Sequence, residues 1–245
     1  MNSHFQRIIL ETTGANELVK TSEIQRLWSG YGEIARYRLR GKGTSIDQVV
    51  IKHVKLPTKA NHPRGWNTDL SHQRKVKSYQ VESAWYEKWS YECNEDCKVP
   101  ACYLLKSEND EFIMVLEDLD ETGFPIRNND VTLDELNACL VWLANFHATF
   151  MHKEPQGLWE TGTYWHLETR PDELEDLKDI DLKNAAAKID QKLKDSPFQT
   201  FVHGDAKLAN FCFSEDGKTV AAVDFQYVGG GCGIKDVAYF IGSCL

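Results

Sequence analysis

The sequence predicts an α+β fold, with a strand-rich first half and a mainly helical second half. The first half carries two hairpin patterns of alternating or β-branched residues, 33–40 with 48–56 and 100–105 with 111–116. In the second half, apolar residues recur at helical spacing after Thr132 and again after Asp181. The pattern changes inside Glu117–Leu119, so we expect an N-terminal domain over 1–118 and a C-terminal domain over 119–245.

The remaining elements follow in chain order. A loop is expected over 57–68, and then a helix over 69–91, where Val81, Trp85 and Trp89 recur every four residues. Thr132 and Glu135 form the T-x-x-E pattern of a capping box, which predicts the start of the next helix.

Short strands and one last helix complete the C-terminal half. Strands are predicted over 200–202, 211–213 and 220–223, the last two joined by a turn at Asp216-Gly217. The glycines between 229 and 233 predict a loose loop, and a final helix begins near Ile234.

Composition excludes several classes of partner. The chain has 28 Lys and Arg against 37 Asp and Glu, a net charge of −9, so it is a poor match for nucleic acid or an anionic membrane. We find no apolar run of about 18 residues and no apolar signal segment at the N-terminus, which favours the cytoplasm. The seven cysteines are scattered, which favours reduced thiols over a zinc site, because structural zinc needs about four ligands.

One stretch carries the strongest chemical signal. Asp205 follows the predicted strand 200–202, Asn210 comes five residues later, and Asp224 ends the next hairpin. In phosphoryl transfer, one carboxylate accepts the proton of the attacking hydroxyl, while an amide oxygen and a second carboxylate hold magnesium. Lys207 is placed to neutralise charge on the transferred group. The alternative is a hairpin with turn-favouring Asn and Asp at its ends, but the joint pattern is far more specific.

These residues resemble those of a known superfamily. His203-Gly204-Asp205 with Asn210, followed by Asp224-Phe225-Gln226, is similar to the catalytic and metal motifs of the aminoglycoside phosphotransferase and choline kinase group. Residues 164–171 and the DFQ ending are most similar to its ecdysteroid-kinase-like branch. The resemblance runs from residue 29 to the end of the chain.

The resemblance implies a bilobal protein-kinase-like fold, with an antiparallel-sheet N-lobe that binds nucleotide and a helical C-lobe with the catalytic loop. It implies ATP and Mg²⁺ as cofactors, Asp205 as catalytic base, Asn210 and Asp224 as magnesium ligands, and Asp236 as a brace of the loop. Members of this group usually carry more helices after the segment ending at Phe240, so the C-lobe is expected to be short.

Nucleotide contacts are expected in the first half. Lys52 lies mid-strand, and Glu82 on the following helix is its expected partner, with Glu87 and Glu92 as rivals. The alternative for Lys52 is an edge-strand lysine whose ammonium group reaches water.

Two further segments complete the nucleotide prediction. Gly30 and Gly32 either cover the phosphates with backbone N–H groups or form a plain turn. Residues Glu117 to Leu119 resemble the hinge whose backbone meets the adenine; the alternative is a buried strand with an acidic end.

The predicted reaction is transfer of the γ-phosphate of ATP to a hydroxyl of a small molecule: an amino alcohol such as choline, an aminoglycoside or a steroid-like compound. Trp159, Tyr164 and Trp165 either wall the substrate pocket or fill the core. A weakly active or inactive nucleotide-binding protein on the same fold is the alternative, and a metallophosphoesterase is a third. The sequence leaves ATP against GTP and the oligomeric state open.

Overall fold

The computed structural model describes residues 1–27, 30–56, 69–108, 110–163, 166–169 and 171–244, with the backbone alone for residues 69–71. Ser29, Tyr164, Trp165 and the predicted loop 57–68 therefore lie outside the described residues. By their contacts the residues form two compact units, Met1–Tyr91 with Val99–Ile126 and Glu92–Lys98 with Arg127–Leu245. None of the helices in these ranges is long and apolar enough to cross a membrane.

The first unit is built on an antiparallel sheet. Its described strands are β1 (Glu17–Arg26), β2 (Gly32–Arg40), β3 (Gln48–Lys55), β4 (Cys102–Glu108) and β5 (Glu111–Glu117). Their order across the sheet is β1-β2-β3-β5-β4, so both predicted hairpins are confirmed. Strand β3 lies in the centre, and it has buried β-branched side chains on both faces: Val49 and Ile51 on one and Val54 on the other.

Helices α1 (Ser3–Thr13) and α2 (Asp69–Lys88) belong to this unit. Phe5 and Ile9 of α1 pack against one sheet face, together with buried residues of three strands: Ala35, Tyr37, Val49, Ile51, Ile113 and Val115. Tyr79 of α2 belongs to the cluster on the other face. The predicted helix 69–91 is confirmed but ends at Lys88, with a 3₁₀ turn at Ser90–Glu92.

Two elements of the first unit escaped the sequence patterns. Strand β1 is largely exposed and polar, as suits a sheet edge, so it lacks the alternation that reveals a half-buried strand. Helix α1 is amphipathic, and its ends carry ordinary signals that were missed. The Asn2 side chain accepts the N–H of Phe5 at the start, and Gly14 adopts a left-handed conformation at the end.

The second unit is mainly helical, with α3 (Leu133–Thr149), α4 (Pro171–Glu175), α5 (Ile180–Lys194) and α6 (Ile234–Cys244). Strands β6 (Gln199–Val202) and β9 (Gly229–Cys232) form one antiparallel pair, and β7 (Phe211–Phe213) and β8 (Val220–Ala222) form another. Its core is aromatic, with fully buried Trp142, Phe146, Phe150, Phe201, Phe211, Phe225 and Phe240. The α+β class with an antiparallel sheet and a helical second half is thereby confirmed, while the functional boundary at residue 118 stays a prediction.

One local prediction in this unit was wrong. Residues 229–232 form strand β9 rather than a loose loop, because the chain packs too closely for side chains: a Cβ at Gly229 would lie 2.1 Å from the carbonyl oxygen of Trp159. The helix predicted after Asp181 is confirmed as α5, which begins at Ile180. The Asp179 side chain caps it by accepting the N–H of Leu182.

The capping box of α3 provides a test of the sequence pattern. Thr132 Oγ1 accepts the N–H of Glu135, and the Glu135 carboxylate accepts the N–H and hydroxyl of Thr132. We expect Thr132→Ala to lower the free energy of unfolding by about 1 kcal/mol, since it removes the N-cap acceptor. Urea denaturation measures this, with Thr132→Ser as the control that keeps the hydroxyl. An equal loss in both variants would contradict the cap.

Candidate active site

Lys52 and Glu82 form a buried ion pair in the first unit. Lys52 lies on the central strand β3 and is 3% exposed, while Glu82 on α2 is 1% exposed. The Lys52 ammonium donates to both carboxylate oxygens of Glu82, at 2.9 and 2.6 Å. The alternative of an edge-strand lysine reaching water is therefore wrong, since β3 has a neighbour on each side.

The rival carboxylates take other positions. Glu87 is exposed on α2, and Glu92 accepts a hydrogen bond from Lys153 within the second unit. The aromatic ring of Tyr79 lies 5.9 Å from the Lys52 ammonium, close enough for a cation–π contact. Glu82 is thus the carboxylate that meets Lys52, and the part of the pair in nucleotide binding stays a prediction.

Gly30 lies in the turn between β1 and β2, and Gly32 is the first residue of β2. The Gly30 N–H donates to the carbonyl of Leu27. The N–H of Leu27 in turn donates to the carbonyl of Gly32. Gly32 has φ +140, and a Cβ there would lie 1.9 Å from the His53 carbonyl oxygen, so only glycine fits. This geometry explains the glycine by a close approach of two strands, and phosphate contact by the turn stays a prediction.

The predicted hinge, Glu117 to Leu119, begins at the last residue of the buried strand β5. Glu117 exchanges two hydrogen bonds with Ala101: its N–H donates to the Ala101 carbonyl, and its carboxylate accepts the Ala101 N–H. Leu119 is buried, and within the described residues no hydrogen bond uses its N–H. Asp118 and Leu119 therefore both keep a backbone N–H that no hydrogen bond of the described residues uses.

The segment after β6 holds Asp205 in the second unit. Gly204 has φ +79 and lies so close to Tyr227 that a Cβ would be 2.1 Å from its carbonyl oxygen, so this position also requires glycine. One oxygen of the buried Asp205 carboxylate accepts from Lys207 at 3.0 Å and from Asn210 at 3.1 Å. The other accepts the Tyr239 hydroxyl at 3.2 Å.

The structure thus brings together three of the residues predicted for catalysis and metal binding: Asp205, Lys207 and Asn210. Tyr239 joins them from α6 and was not predicted, because it looked like one more residue of an amphipathic helix. Burial lowers the pKa of the Lys207 ammonium, but the charge and hydrogen bond of Asp205 outweigh this and raise that pKa above its ordinary value. Lys207 accordingly remains a cation beside the carboxylate.

Asn210 and Asp224 flank the β7–β8 pair. The Asn210 amide nitrogen donates to the carbonyl and carboxylate oxygens of Asp205, so its Oδ1 is left as a potential ligand for a cation. The Asn210 carbonyl accepts the N–H of Val223. Asp224 is the next residue after Val223, so its backbone lies close to Asn210. Asp224 has φ +68, a conformation sparsely populated by residues other than glycine, asparagine and aspartate. Its carboxylate accepts the Gln226 side-chain amide.

These ligand types suit a hard cation. Magnesium is usually held by one or two protein carboxylates together with water and phosphate oxygens, and Asn210 and Asp224 offer such oxygens. Among the described residues no group of three or more His, Cys, Asp or Glu side chains could hold a metal ion. Asn210 and Asp224 thus fit a magnesium ion whose other ligands would be water and phosphate oxygens.

Asp236 braces the segment that carries Asp205. It is buried at the start of α6, and its carboxylate accepts the N–H groups of His203 and Gly204 at 2.6 and 3.0 Å. His147 of α3 adds a contact at 2.9 Å. Burial raises the pKa of the Asp236 carboxyl, but His147 and the Gly204 N–H outweigh burial and hold that pKa below its ordinary 3.8.

His203 also braces the loop. Its Nε2 lies 3.0 Å from the Val223 carbonyl oxygen, and its Nδ1 accepts the N–H of Asp205. These contacts require the proton on Nε2. The contact between His147 and Asp236 could not be predicted from the pattern of α3, because the two residues are 89 positions apart in the chain.

Trp159 is half-buried in the second unit. Its indole N–H donates to the Gln226 carbonyl at 2.8 Å, and its ring stacks on Tyr227. These contacts fix the orientation of the indole, and a place in the wall of a substrate pocket stays a prediction.

Comparison with known proteins points to one family. The sequence model of the phosphotransferase enzyme family (APH) matches residues 94–244, more than half of the chain. A search of curated proteins finds no match.

Two similar solved structures have low sequence identity. One is a thermostable aminoglycoside phosphotransferase variant in complex with ADP and hygromycin B, with 12% identity, a TM-score of 0.49, and coverage of 97% of this chain and 76% of that one. The other is a candidate fructosamine-3-kinase from Haemophilus somnus 129PT, with 15% identity, a TM-score of 0.49, and coverage of 97% and 78%.

The Lys52–Glu82 pair provides a stability test. Lys52→Met or Glu82→Gln leaves a buried charge without its partner, so we expect each to lower the free energy of unfolding by about 3–5 kcal/mol. The double variant should lose clearly less than the sum, because no unpaired charge remains. Urea denaturation of the four proteins measures this, and additive losses would contradict a coupled pair.

The Asp236 contacts provide a second test. In Asp236→Asn the amide NH₂ must face one of two backbone N–H donors, so we expect a loss of about 2–3 kcal/mol in the free energy of unfolding. Because folding lowers the pKa of Asp236, its ionisation stabilises the native state fully above pH 3.8. That contribution is lost as the pH falls through the native pKa.

Denaturation of wild type and Asp236→Asn at several pH values checks both statements. Asp130→Asn is the matched control, since Asp130 is exposed in the same unit. A loss in Asp236→Asn that matches the control, or that grows below pH 3.8, would contradict the assignment.

Proposed function

The chain belongs to the phosphotransferase enzyme family, and we propose that it transfers the γ-phosphate of ATP to a hydroxyl of a small molecule. The observation that carries the proposal is the arrangement of Asp205, Lys207 and Asn210 on one braced loop. These side chains lie in the segment matched to the family, which makes phosphoryl transfer the chemistry they support best.

Asp205 is the proposed catalytic base. Its carboxylate accepts the hydrogen bond of the acceptor hydroxyl and aims that oxygen at the phosphorus. Lys207 lies beside it as a cation and offsets negative charge that grows on the transferred group. Tyr239 donates to the second Asp205 oxygen and thereby restricts the orientation of the carboxylate.

Asn210 and Asp224 are the proposed magnesium ligands. Asn210 keeps Oδ1 for this purpose because its amide nitrogen is engaged by Asp205. Bound magnesium would neutralise charge on the phosphates. The residues of the second unit then have separate roles. Asp205 accepts the proton, and Asn210 and Asp224 coordinate the magnesium ion.

The first unit is proposed to bind ATP. Lys52, held by Glu82, contacts the phosphates; the Gly30–Gly32 turn covers them; and the backbone of Glu117 to Leu119 meets the adenine. The unused N–H of Leu119 supports this last assignment. Buried polar groups of this kind are normally satisfied, and a ring nitrogen of the base is a suitable acceptor.

The acceptor is proposed to be an amino alcohol such as choline, an aminoglycoside or a steroid-like alcohol. The net charge of −9 suits a cationic acceptor better than an anionic one. The ecdysteroid-kinase-like branch would favour the steroid-like class. A panel of these three classes, assayed by magnesium-dependent ADP release, identifies the acceptor.

Two aspartate variants test the mechanism. We expect Asp205→Asn to lower the rate of ADP release on the acceptor found by the panel by about 10²- to 10⁴-fold, because asparagine cannot take the proton. Binding of Mg·ATP should remain, measured by calorimetry. Asp224→Asn should weaken Mg·ATP binding as well, because it removes a negative charge from the cation site.

The alternatives give different results in the same measurements. A metallophosphoesterase would lose metal affinity in Asp205→Asn, and an inactive nucleotide-binding protein would show no turnover in the wild type. Full ADP release by Asp205→Asn would contradict the proposed role of this loop.

A further inference from the structure

One face of the sheet in the first unit carries both a cation and a row of apolar residues. In the antiparallel register Ile34 lies opposite Lys52, and Arg36 lies opposite Val50, so these four side chains share a face. Val50 in turn lies opposite Leu116 on β5. The Arg36 row is two residues from the Lys52 row, roughly 7 Å along the strands.

Arg36 reaches from this face to the segment that follows β5. Its Nε and Nη2 donate to the two carboxylate oxygens of Asp118, the second at 3.1 Å, and Nη2 also donates to Asp120. The pairing with Asp118 is bidentate, the geometry that planar guanidinium favours and an ammonium group cannot reproduce.

Asp118 depends on this partner. Its side chain is 1% exposed, and a buried carboxylate is costly unless it is paired and hydrogen-bonded. The same carboxylate also accepts the N–H of Asp120 at 3.2 Å. Asp118 therefore stabilises the turn by this bond and joins it to β2 by its pairing with Arg36.

The turn held in this way contains Leu119. The Asp118 carbonyl accepts the N–H of Glu121, and the Leu119 carbonyl accepts the N–H of Phe124 at 2.8 Å. These bonds and the Arg36 contacts fix the backbone on both sides of Leu119, whose N–H is used by no hydrogen bond of the described residues.

We propose that Arg36 is a positioning residue for the nucleotide base: its contacts with Asp118 and Asp120 hold this turn so that the Leu119 N–H meets the base. The inference rests on the proposed function, since it takes the phosphates to lie at Lys52. A nucleotide with its phosphates there would extend its base over Val50 and Leu116, beside the turn that Arg36 holds. Arg36 acts through the turn and does not itself contact the base.

The test separates base binding from phosphate binding. Affinities of wild type and Arg36→Gln for Mg·ATP and for inorganic tripolyphosphate, which lacks a base, are measured by competition against a fluorescent ATP analogue. We expect the dissociation constant for ATP to rise roughly threefold to tenfold, which corresponds to the loss of about one hydrogen bond. The dissociation constant for tripolyphosphate should stay unchanged. Arg36→Lys should also lower the affinity for ATP, because lysine keeps the positive charge but cannot form the bidentate pair with Asp118.

Two further proteins keep the test decisive. Arg38→Gln is the matched control, because Arg38 lies on the same strand and face but is exposed, and it should bind both ligands as wild type does. If Arg36→Gln fails to fold, Arg36→Gln with Asp118→Asn removes the unpaired buried charge while still lacking the clamp, and the selective loss of ATP affinity should remain.

The outcomes distinguish the two levels of the argument. The role of Arg36 would be overturned if a variant that lacks the Arg36–Asp118 contacts bound ATP as tightly as wild type, or if it lost equal affinity for ATP and tripolyphosphate. Either result would leave the proposed function intact. Failure of the wild type to bind ATP would instead overturn the proposed function, and this inference with it.

Discussion

A single buried carboxylate organises the segment on which the proposed chemistry depends. Asp236 accepts the backbone N–H groups of His203 and Gly204 and contacts His147. Without these bonds the N–H groups of His203 and Gly204 would be buried without acceptors. Gly204 also has a left-handed backbone that approaches Tyr227 too closely for any side chain. Asp205 follows directly, so its position is set by hydrogen bonds of the backbone before it and by side chains from Lys207, Asn210 and Tyr239 after it.

The first unit uses buried charge in a comparable way. Lys52 with Glu82 and Arg36 with Asp118 are pairs in which at least one carboxylate is almost fully buried, and both pairs start from the same sheet face. A buried ion pair seldom adds stability relative to apolar residues of the same volume, since desolvation offsets the attraction. Their presence on one face is better explained by the ligand proposed for that face than by stability.

Local sequence patterns succeeded where the cause of structure is local. The capping box at Thr132, the strands around Lys52 and the hairpin between Asn210 and Asp224 depend on residues a few positions apart. The patterns failed where a distant contact decides. The glycines of β9 suggested flexibility but reflect close packing against Trp159. The polar strand β1 shows no alternation because the residues on both of its faces are largely exposed.

The sequence by itself determined the α+β class and the family resemblance, and it supplied the residues proposed as reactive groups, because these depend on the order and chemistry of neighbouring residues. Only the tertiary structure decided which carboxylate meets Lys52, that Tyr239 and His147 join the Asp205 loop, and that Arg36 clamps the turn after β5. Each of these contacts joins residues at least 30 positions apart in the chain. Such contacts are set by sheet register and helix packing, which place side chains in space without leaving a local pattern in the sequence.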